Sequence, residues 1–379
     1  MNKIVPLSLT LFLAGMVAAW AAPTKEKSAR TTAAGAAYQW NEEPKTPESG
    51  AWIAHFAMEA EAQNRPEVSK SLSEMMRAGN LTIPCAESGL YFFTKREGKE
   101  KQPSIYLRKG LSGKDERLVD AAKVGRNAAL RIADVSNDGS LLVYVVREGK
   151  RAEGSVRFFD VNARREWPDV LPRANYNTVS ISPGRKGVYY TKVEPAGTRV
   201  FLHSFGSAPA ADTFIFGETY NYEPLGPNDL ISAEVTDDEG YLILSVARGM
   251  SAKRTDFFAQ ELARPDEKVR PIINHTEGTF TAVSHATDLY LLTDNEAPKK
   301  RVVKLMIDDP HPTRWGTIVP EGKSVLSDLS IVGEKLFVSG PEASGVKTRI
   351  VTLEGKETGH ITHQAVGAPK NVHHKCPRR

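Results

Sequence analysis

Short apolar runs, each announced by a turn rich in Asp and Gly, recur along the chain from Leu130 to Ile361. Ser136-Asn137-Asp138-Gly139-Ser140 precedes LLVYVV, Ser182 to Gly187 precedes VYYTKV, and Thr236 to Gly240 precedes YLILSV. Thr287-Asp288 precedes LYLLT, and Val332 to Lys335 precedes LFVSG. Asp and Gly supply the positive-φ turn conformations, and the β-branched and aromatic runs behind them supply strands. A unit of about 40–50 residues holding four strands, met about five times over this stretch, is the sequence sign of propeller blades. The expected fold is all-β: a β-propeller of four-stranded antiparallel blades, with material for about six from Leu81 onward. Leu142, Tyr144, Tyr189, Leu242, Leu244, Leu291 and Phe337 are expected in strands, their apolar sides between neighbouring blades.

Ahead of this pattern the period changes. Thr46-Pro47-Glu48 has the residues of a helix start, and Trp52, Phe56 and Ala60 follow at helical spacing. A second start at Asn64-Arg65-Pro66-Glu67 leads into Val68, Leu72 and Met75, with Gly79 placed to end it. Residues 38–80 are therefore expected to form a short helical arm, holding the only substantial helices. Further upstream, Lys3, the apolar stretch Ile4 to Val17 and the small-x-small triplet Ala19-Trp20-Ala21 have the three regions of a secretory signal peptide. Residues 1–21 are expected to be removed on export to a periplasmic or extracellular location, leaving a flexible leader over 22–37. Beyond Ile361 the alternation stops, so the propeller is expected over 81–361 and a disordered basic tail over 362–379.

Composition narrows the possible partners. Hydrophobic content is 40% and aromatic content 8%, ordinary for a folded domain. The 50 basic and 46 acidic residues are scattered, and the net charge of +4 points to neither nucleic acid nor, after signal cleavage, a membrane surface. Cys85 and Cys376 are the two cysteines, without a C-x-x-C motif; an exported chain would permit a single link between them, but with Cys376 in a polar tail two unpaired thiols are expected. His360, His363, His373, His374 and Cys376 are good metal-ligand types, but a metal site needs a rigid frame that the tail lacks. No metal and no cofactor are expected. His203, His275, His285 and His311 are isolated in the pattern and expected on blade loops.

Several segments carry a resemblance. Tyr38-Gln39-Trp40-Asn41-Glu42-Glu43-Pro44, followed by Thr46-Pro47-Glu48 and Ala51-Trp52-Ile53, resembles the Tyr-Arg-Trp-Leu-Glu-Asp-Pro opening of the prolyl oligopeptidase family of serine peptidases. Gly89 to Phe93 with Pro103 to Leu107 resembles that family's first propeller hairpin, and Val156 to Asp160 with Pro168 to Leu171 resembles the end of the following blade. The similarity runs from Tyr38 to about Ile361. It implies a seven-bladed type of propeller joined to an α/β-hydrolase domain, with the helical arm packed on that domain. It also implies a gating role, in which short peptides reach a Ser-Asp-His triad and are cut after proline.

The chain's own residues do not supply that chemistry. An elbow serine reads as Gly-x-Ser-x-Gly, in this family Gly-Gly-Ser-Asn-Gly-Gly, and neither pattern occurs. Ser339 and Ser344 each have one glycine neighbour and stand where a strand gives way to a loop, which makes them turn residues. No catalytic residue is therefore assigned. The resemblance places Tyr176 where the family has an aromatic lining the peptide site. Arg248 stands one position late relative to the family's substrate-facing arginine, and a one-residue offset in a strand turns a side chain to the other face. Two readings remain open. One is a fragment of a prolyl-oligopeptidase-type peptidase, inactive alone, whose partners are a hydrolase domain and a short peptide. The other is a secreted propeller that binds a partner and has no peptidase role.

Overall fold

The computed structural model describes residues 81–364, apart from 99, 150–151, 221–222, 250–252, 265 and 343–344. The segments expected to be signal peptide, leader and helical arm, with Trp52, Phe56, Val68 and Leu72, lie outside the described residues, as do His373, His374 and Cys376.

Six four-stranded antiparallel sheets follow one another in chain order and form a propeller ring. Blade 1 comprises β1 (Cys85–Glu87), β2 (Leu90–Lys95), β3 (Ser104–Lys109) and β4 (Asp115–Val119). Blade 2 comprises β5 (Ala128–Val135), β6 (Leu141–Glu148), β7 (Gly154–Asp160) and β8 (Arg165–Ala174). Blade 3 comprises β9 (Tyr176–Ile181), β10 (Gly187–Glu194), β11 (Gly197–Ser204) and β12 (Thr213–Phe216), and a short ribbon of β13 (Thr219–Tyr220) and β14 (Glu223–Pro224) follows it. Blade 4 is β15 (Leu230–Val235), β16 (Tyr241–Arg248), β17 (Arg254–Glu261) and β18 (Arg270–Ile273). Blade 5 is β19 (Phe280–His285), β20 (Asp288–Thr293), β21 (Arg301–Met306) and β22 (Gly316–Val319). Blade 6 is β23 (Asp328–Val332), β24 (Lys335–Glu342), β25 (Gly345–Thr352) and β26 (Glu357–Gln364). Among the described residues the one α-helix is a single turn, α1 (Ala121–Val124).

The turn chemistry repeats at atomic level. In blade 2 the Asp138 carboxylate accepts from the Ser136 hydroxyl at 2.6 Å and the Ser140 amide at 3.1 Å, while Ser136 Oγ accepts from the Leu141 amide at 2.9 Å. Blade 4 copies this with Thr236, Asp238, Gly240 and Tyr241 at 2.6, 3.1 and 3.0 Å. The aspartate thus organises the first hairpin in both blades. Gly139 has φ 69°, and a Cβ there would stand 2.7 Å from Leu90 of blade 1, so this turn also needs glycine for close approach.

Middle strands are buried on both faces, which is why their sequences are continuous apolar runs. Leu142, Tyr144 and Val146 of β6 join Phe92 and Leu107 of blade 1, while Val143 and Val145 join Tyr176 and Val179 of blade 3. Tyr189, Leu242 and Leu244 lie between blades 3 and 4, and Leu291 lies between blades 4 and 5. A fifth cluster links blades 5 and 6 through Tyr290, Leu336 and Val338. Each such Leu or Val contributes about 1.5–3 kcal/mol by leaving water, so the interfaces between blades carry the stability. Phe337 is in its expected strand but only half-buried, on the face of blade 6 that the last cluster does not use.

Several expectations are corrected. His203 lies in β11, not on a loop, and is wholly buried; Nδ1 is 2.7 Å from Asp212 and Nε2 3.5 Å from Asp169. Asp212 also accepts the Tyr190 hydroxyl at 2.8 Å. His203 reads as isolated because neither carboxylate stands at strand spacing from it: Asp169 lies on β8 of the preceding blade, and Asp212 lies before β12. His285 likewise ends β19, whereas His275 and His311 are outside the strands. The final strand runs to Gln364, past Ile361, and carries His360 opposite Arg349. Cys85 is not a free thiol: it is disulfide-bonded.

Candidate functional site

The first strands of blades 2, 3 and 4 run side by side without sharing a backbone ladder, so one edge of each needs other hydrogen-bond partners. Side chains provide them. Asp134 Oδ2 accepts the Ile181 amide at 2.8 Å, Thr178 Oγ1 the Ala233 amide at 3.0 Å, and Ser180 Oγ the Val235 amide at 3.0 Å. Asn177 donates through Nδ2 to the Ile231 carbonyl at 2.9 Å and to Ser232 Oγ at 3.1 Å. Buried polar residues on strands otherwise packed with Val and Ile are thus stitching groups. They leave a small polar cavity lined by Asp134, Ser136, Asn137, Ser180, Thr236 and Glu239.

At one end of these strands the first-hairpin turns converge. Ser88 Oγ donates to the Asn137 carbonyl at 2.8 Å, and Asn137 Nδ2 reaches past blade 3 to the Asp237 carbonyl at 2.9 Å. Arg185 Nη1 meets Asp138 at 2.6 Å, and the Gly184 amide donates to Glu239 at 2.9 Å. Blades 1 to 4 are therefore latched together at this end by turn residues alone. Partial burial works against the Asp138 carboxylate, but the Ser136 hydroxyl, the Ser140 amide and hydroxyl, and Arg185 together hold its pKa below the usual value. A depressed carboxylate pKa means that the latch is at full strength above the ordinary Asp value of about 3.9 and is lost as pH falls through the lower folded value. A proton titration followed by the Ser140 amide resonance is expected to give a midpoint below 3.9, and Arg185→Gln to move that midpoint up. A midpoint at or above the ordinary value would show that the latch does not hold Asp138.

The opposite end carries the hairpins between second and third strands. Tyr176 opens β9 at this end and is 6% exposed. Its hydroxyl donates to the Pro172 carbonyl and its ring meets Tyr190 edge-on at 5.6 Å, while burial pushes its pKa well above the ordinary value. Arg248, at the end of β16, donates through Nε to Asp256 at 2.7 Å and through Nη1 to Asp229 at 3.2 Å. Arg254 Nη2 lies 2.9 Å from the same Asp256, which is fully buried. Tyr176 and Arg248 thus share an end of the ring, but each is engaged by its own blade's neighbours.

Ser339 lies within β24 and not, as expected, where a strand gives way to a loop. Ser339 Oγ shares a hydrogen bond of 2.8 Å with Thr348 Oγ1 in the adjacent strand, an arrangement that activates no nucleophile. Ser344 lies outside the described residues. Sequence reasoning missed Arg131 and Arg147. They occupy one face of blade 2 at the Tyr176 end, and their Nε atoms are buried and unbonded. The only signal for them was a pair of cations inside otherwise apolar strands.

Comparison with known proteins agrees with this architecture. The family model described as prolyl oligopeptidase, N-terminal beta-propeller domain, matches residues 24–374. The prolyl endopeptidase of Elizabethkingia meningoseptica is 24% identical over 302 residues, which covers 75% of this chain and 42% of that protein. That of Elizabethkingia miricola is 24% identical over 303 residues, with the same coverage of 75% and 42%. The chain thus spans less than half the length of these relatives. A structure from a study of two prolyl endopeptidases superposes with a TM-score of 0.72 at 25% identity, covering 87% of this chain and 50% of that one. Prolyl oligopeptidase B from Galerina marginata, solved with a 35mer hydrolysis and macrocyclization substrate, gives a TM-score of 0.68 at 18% identity, covering 87% and 50%. This second likeness is one of fold.

Proposed function

Because the chain belongs to the prolyl oligopeptidase family through its N-terminal propeller domain, we propose that its ring is the substrate filter of a peptidase that cuts short peptides after proline. The observation that carries this reading is the family match over nearly the whole chain, on a ring whose first strands in blades 2, 3 and 4 are tied together by buried side chains. In this reading the rigid ring selects by size, admitting an extended peptide to the catalytic domain and holding back a folded protein. The nucleophile in this reading belongs to an α/β-hydrolase domain that partners the ring, because this sequence holds no Gly-x-Ser-x-Gly. Export is part of the proposal. The disulfide at Cys85 supports an oxidising compartment, in line with the signal-peptide pattern of residues 1–21.

The test mixes the purified chain with the separately expressed hydrolase domain of the Elizabethkingia meningoseptica relative. Alone, the chain is expected to leave a chromogenic Gly-Pro peptide intact. In the mixture, hydrolysis of that peptide is expected to persist while cleavage of β-casein by the hydrolase domain falls at least tenfold. An unchanged ratio of the two activities would sink the filter reading.

A further inference from the structure

Arg131 lies in β5 and Arg147 in β6, on the face of blade 2 that packs toward blade 3. Arg131 stands opposite Val145 and Arg147 opposite Ala129, so the two guanidinium groups are diagonal neighbours on one face. Both side chains are half-buried, and the Nε atom of each is shielded from solvent with no hydrogen-bond partner. Among the described residues neither has an acidic partner. The acid next to Arg147 in sequence, Glu148, pairs with Arg173 at 3.6 Å instead. Burial lowers the pKa of Arg131, and the charge of Arg147 lowers it further.

Other arginines at comparable depth are compensated. Arg117 meets Glu100 at 2.6 Å, and Arg248 and Arg254 share Asp256. An unpaired pair of partly desolvated cations is therefore an exception within this ring. Such a pair opposes stability, and where a sequence departs from local consistency the departure points to use. Position adds to the argument. The Asp134–Ile181 contact sets β5 beside β9, and Ala133, Val143 and Val145, on the same face as the two arginines, pack with Tyr176 and Val179. The cations thus share the face of blade 2 that packs toward blade 3, whose first strand opens with Tyr176 and Asn177 at the hairpin end of the ring. A planar guanidinium fork matches a planar carboxylate, and two forks side by side supply donors for both of its oxygens.

We propose that Arg131 and Arg147 form a carboxylate-binding subsite at the hairpin end of the ring, which takes the free C-terminus of a short peptide. The proposal rests on the reading of the ring as a peptide filter, and names the group by which the filter holds what enters. It predicts that a peptide with a free C-terminus binds better than the same peptide as its amide, whatever its internal sequence.

The experiment measures fluorescence anisotropy of an N-terminally labelled Gly-Pro-Gly-Gly, as acid and as amide, with the full chain at low salt. The acid is expected to bind at least tenfold more tightly than the amide, and Arg131→Gln and Arg147→Gln each to abolish that difference. Both variants are expected to keep or raise Tm, because each removes half of a like-charge pair. Sodium phosphate serves as the competitor that separates a peptide site from an adventitious anion site. Equal binding of acid and amide, no binding of either, or variants that bind like the parent overturn the subsite. So does a Tm that falls by several degrees in both variants, since the arginines would then be structural. None of these outcomes touches the filter reading, which is decided by the mixture with the hydrolase domain.

Discussion

Asp256→Ala is expected to destabilise the ring by about 3–5 kcal/mol, the usual cost of leaving buried charges without their partner. Asp256 has no exposed surface, and it receives Arg248 at 2.7 Å and Arg254 at 2.9 Å. Removing the carboxylate leaves two guanidinium groups facing each other at the end of the β16–β17 hairpin. Asp229 holds Arg248 from the other side at 3.2 Å and the Gly249 amide at 2.9 Å, so strain in Arg248 passes to the entry of β15. Asp256→Asn keeps the volume and some hydrogen bonds and is expected to cost less than the alanine. Urea denaturation at neutral pH measures both, through a shift in midpoint at constant slope. A shift equivalent to less than about 1 kcal/mol for the alanine would mean that water or rearrangement replaces the carboxylate.

The same cluster shows what a sequence reveals about this fold and what it hides. The turns Ser136 to Ser140 and Thr236 to Gly240 are legible because the hydrogen bonds that shape each turn lie within five positions, and the aspartate acts on its own hairpin. LLVYVV and YLILSV are legible because a strand buried on both faces has to be apolar throughout. Order and spacing of such units give the propeller. The hidden features are made by residues far apart in the chain. His203 reads as a lone polar residue until Asp169 and Asp212 are brought to it, and Arg248 reads as a displaced ligand until Asp229 is seen behind it. Arg131 and Arg147 are harder still. Strand periodicity assigns them a face, but only the folded arrangement shows that among the described residues their Nε atoms are buried without a partner. Tyr176 was singled out by resemblance, and the structure adds that its ring and hydroxyl are both engaged within the blade 2–blade 3 interface.

Reducing the Cys85 disulfide is expected to lower the stability of the ring by about 2–5 kcal/mol, the range for loss of a native bridge. The local structure explains why the ring depends on it. Cys85 opens β1, which is three residues long and the shortest strand of any blade, and pairs with Phe92 of β2. Backbone hydrogen bonds along so short a strand are few, yet Cys85 is 2% exposed and belongs to the apolar cluster that joins blades 1 and 2. Loss of the bridge therefore releases the strand that seats this cluster from the side of blade 1. Thermal denaturation with and without a phosphine reductant measures the effect, and Cys85→Ser is expected to reproduce the reduced midpoint without reductant. Hydrogen exchange locates it: amides of β1 and β2 should lose protection first, while those of β10 and β16, in the interior of blades 3 and 4, should keep theirs until global unfolding. Equal midpoints for oxidised and reduced protein would show that blade 1 is held by its apolar contacts and salt bridges alone, Lys95–Asp115 at 2.9 Å and Arg108–Asp115 at 2.7 Å among them.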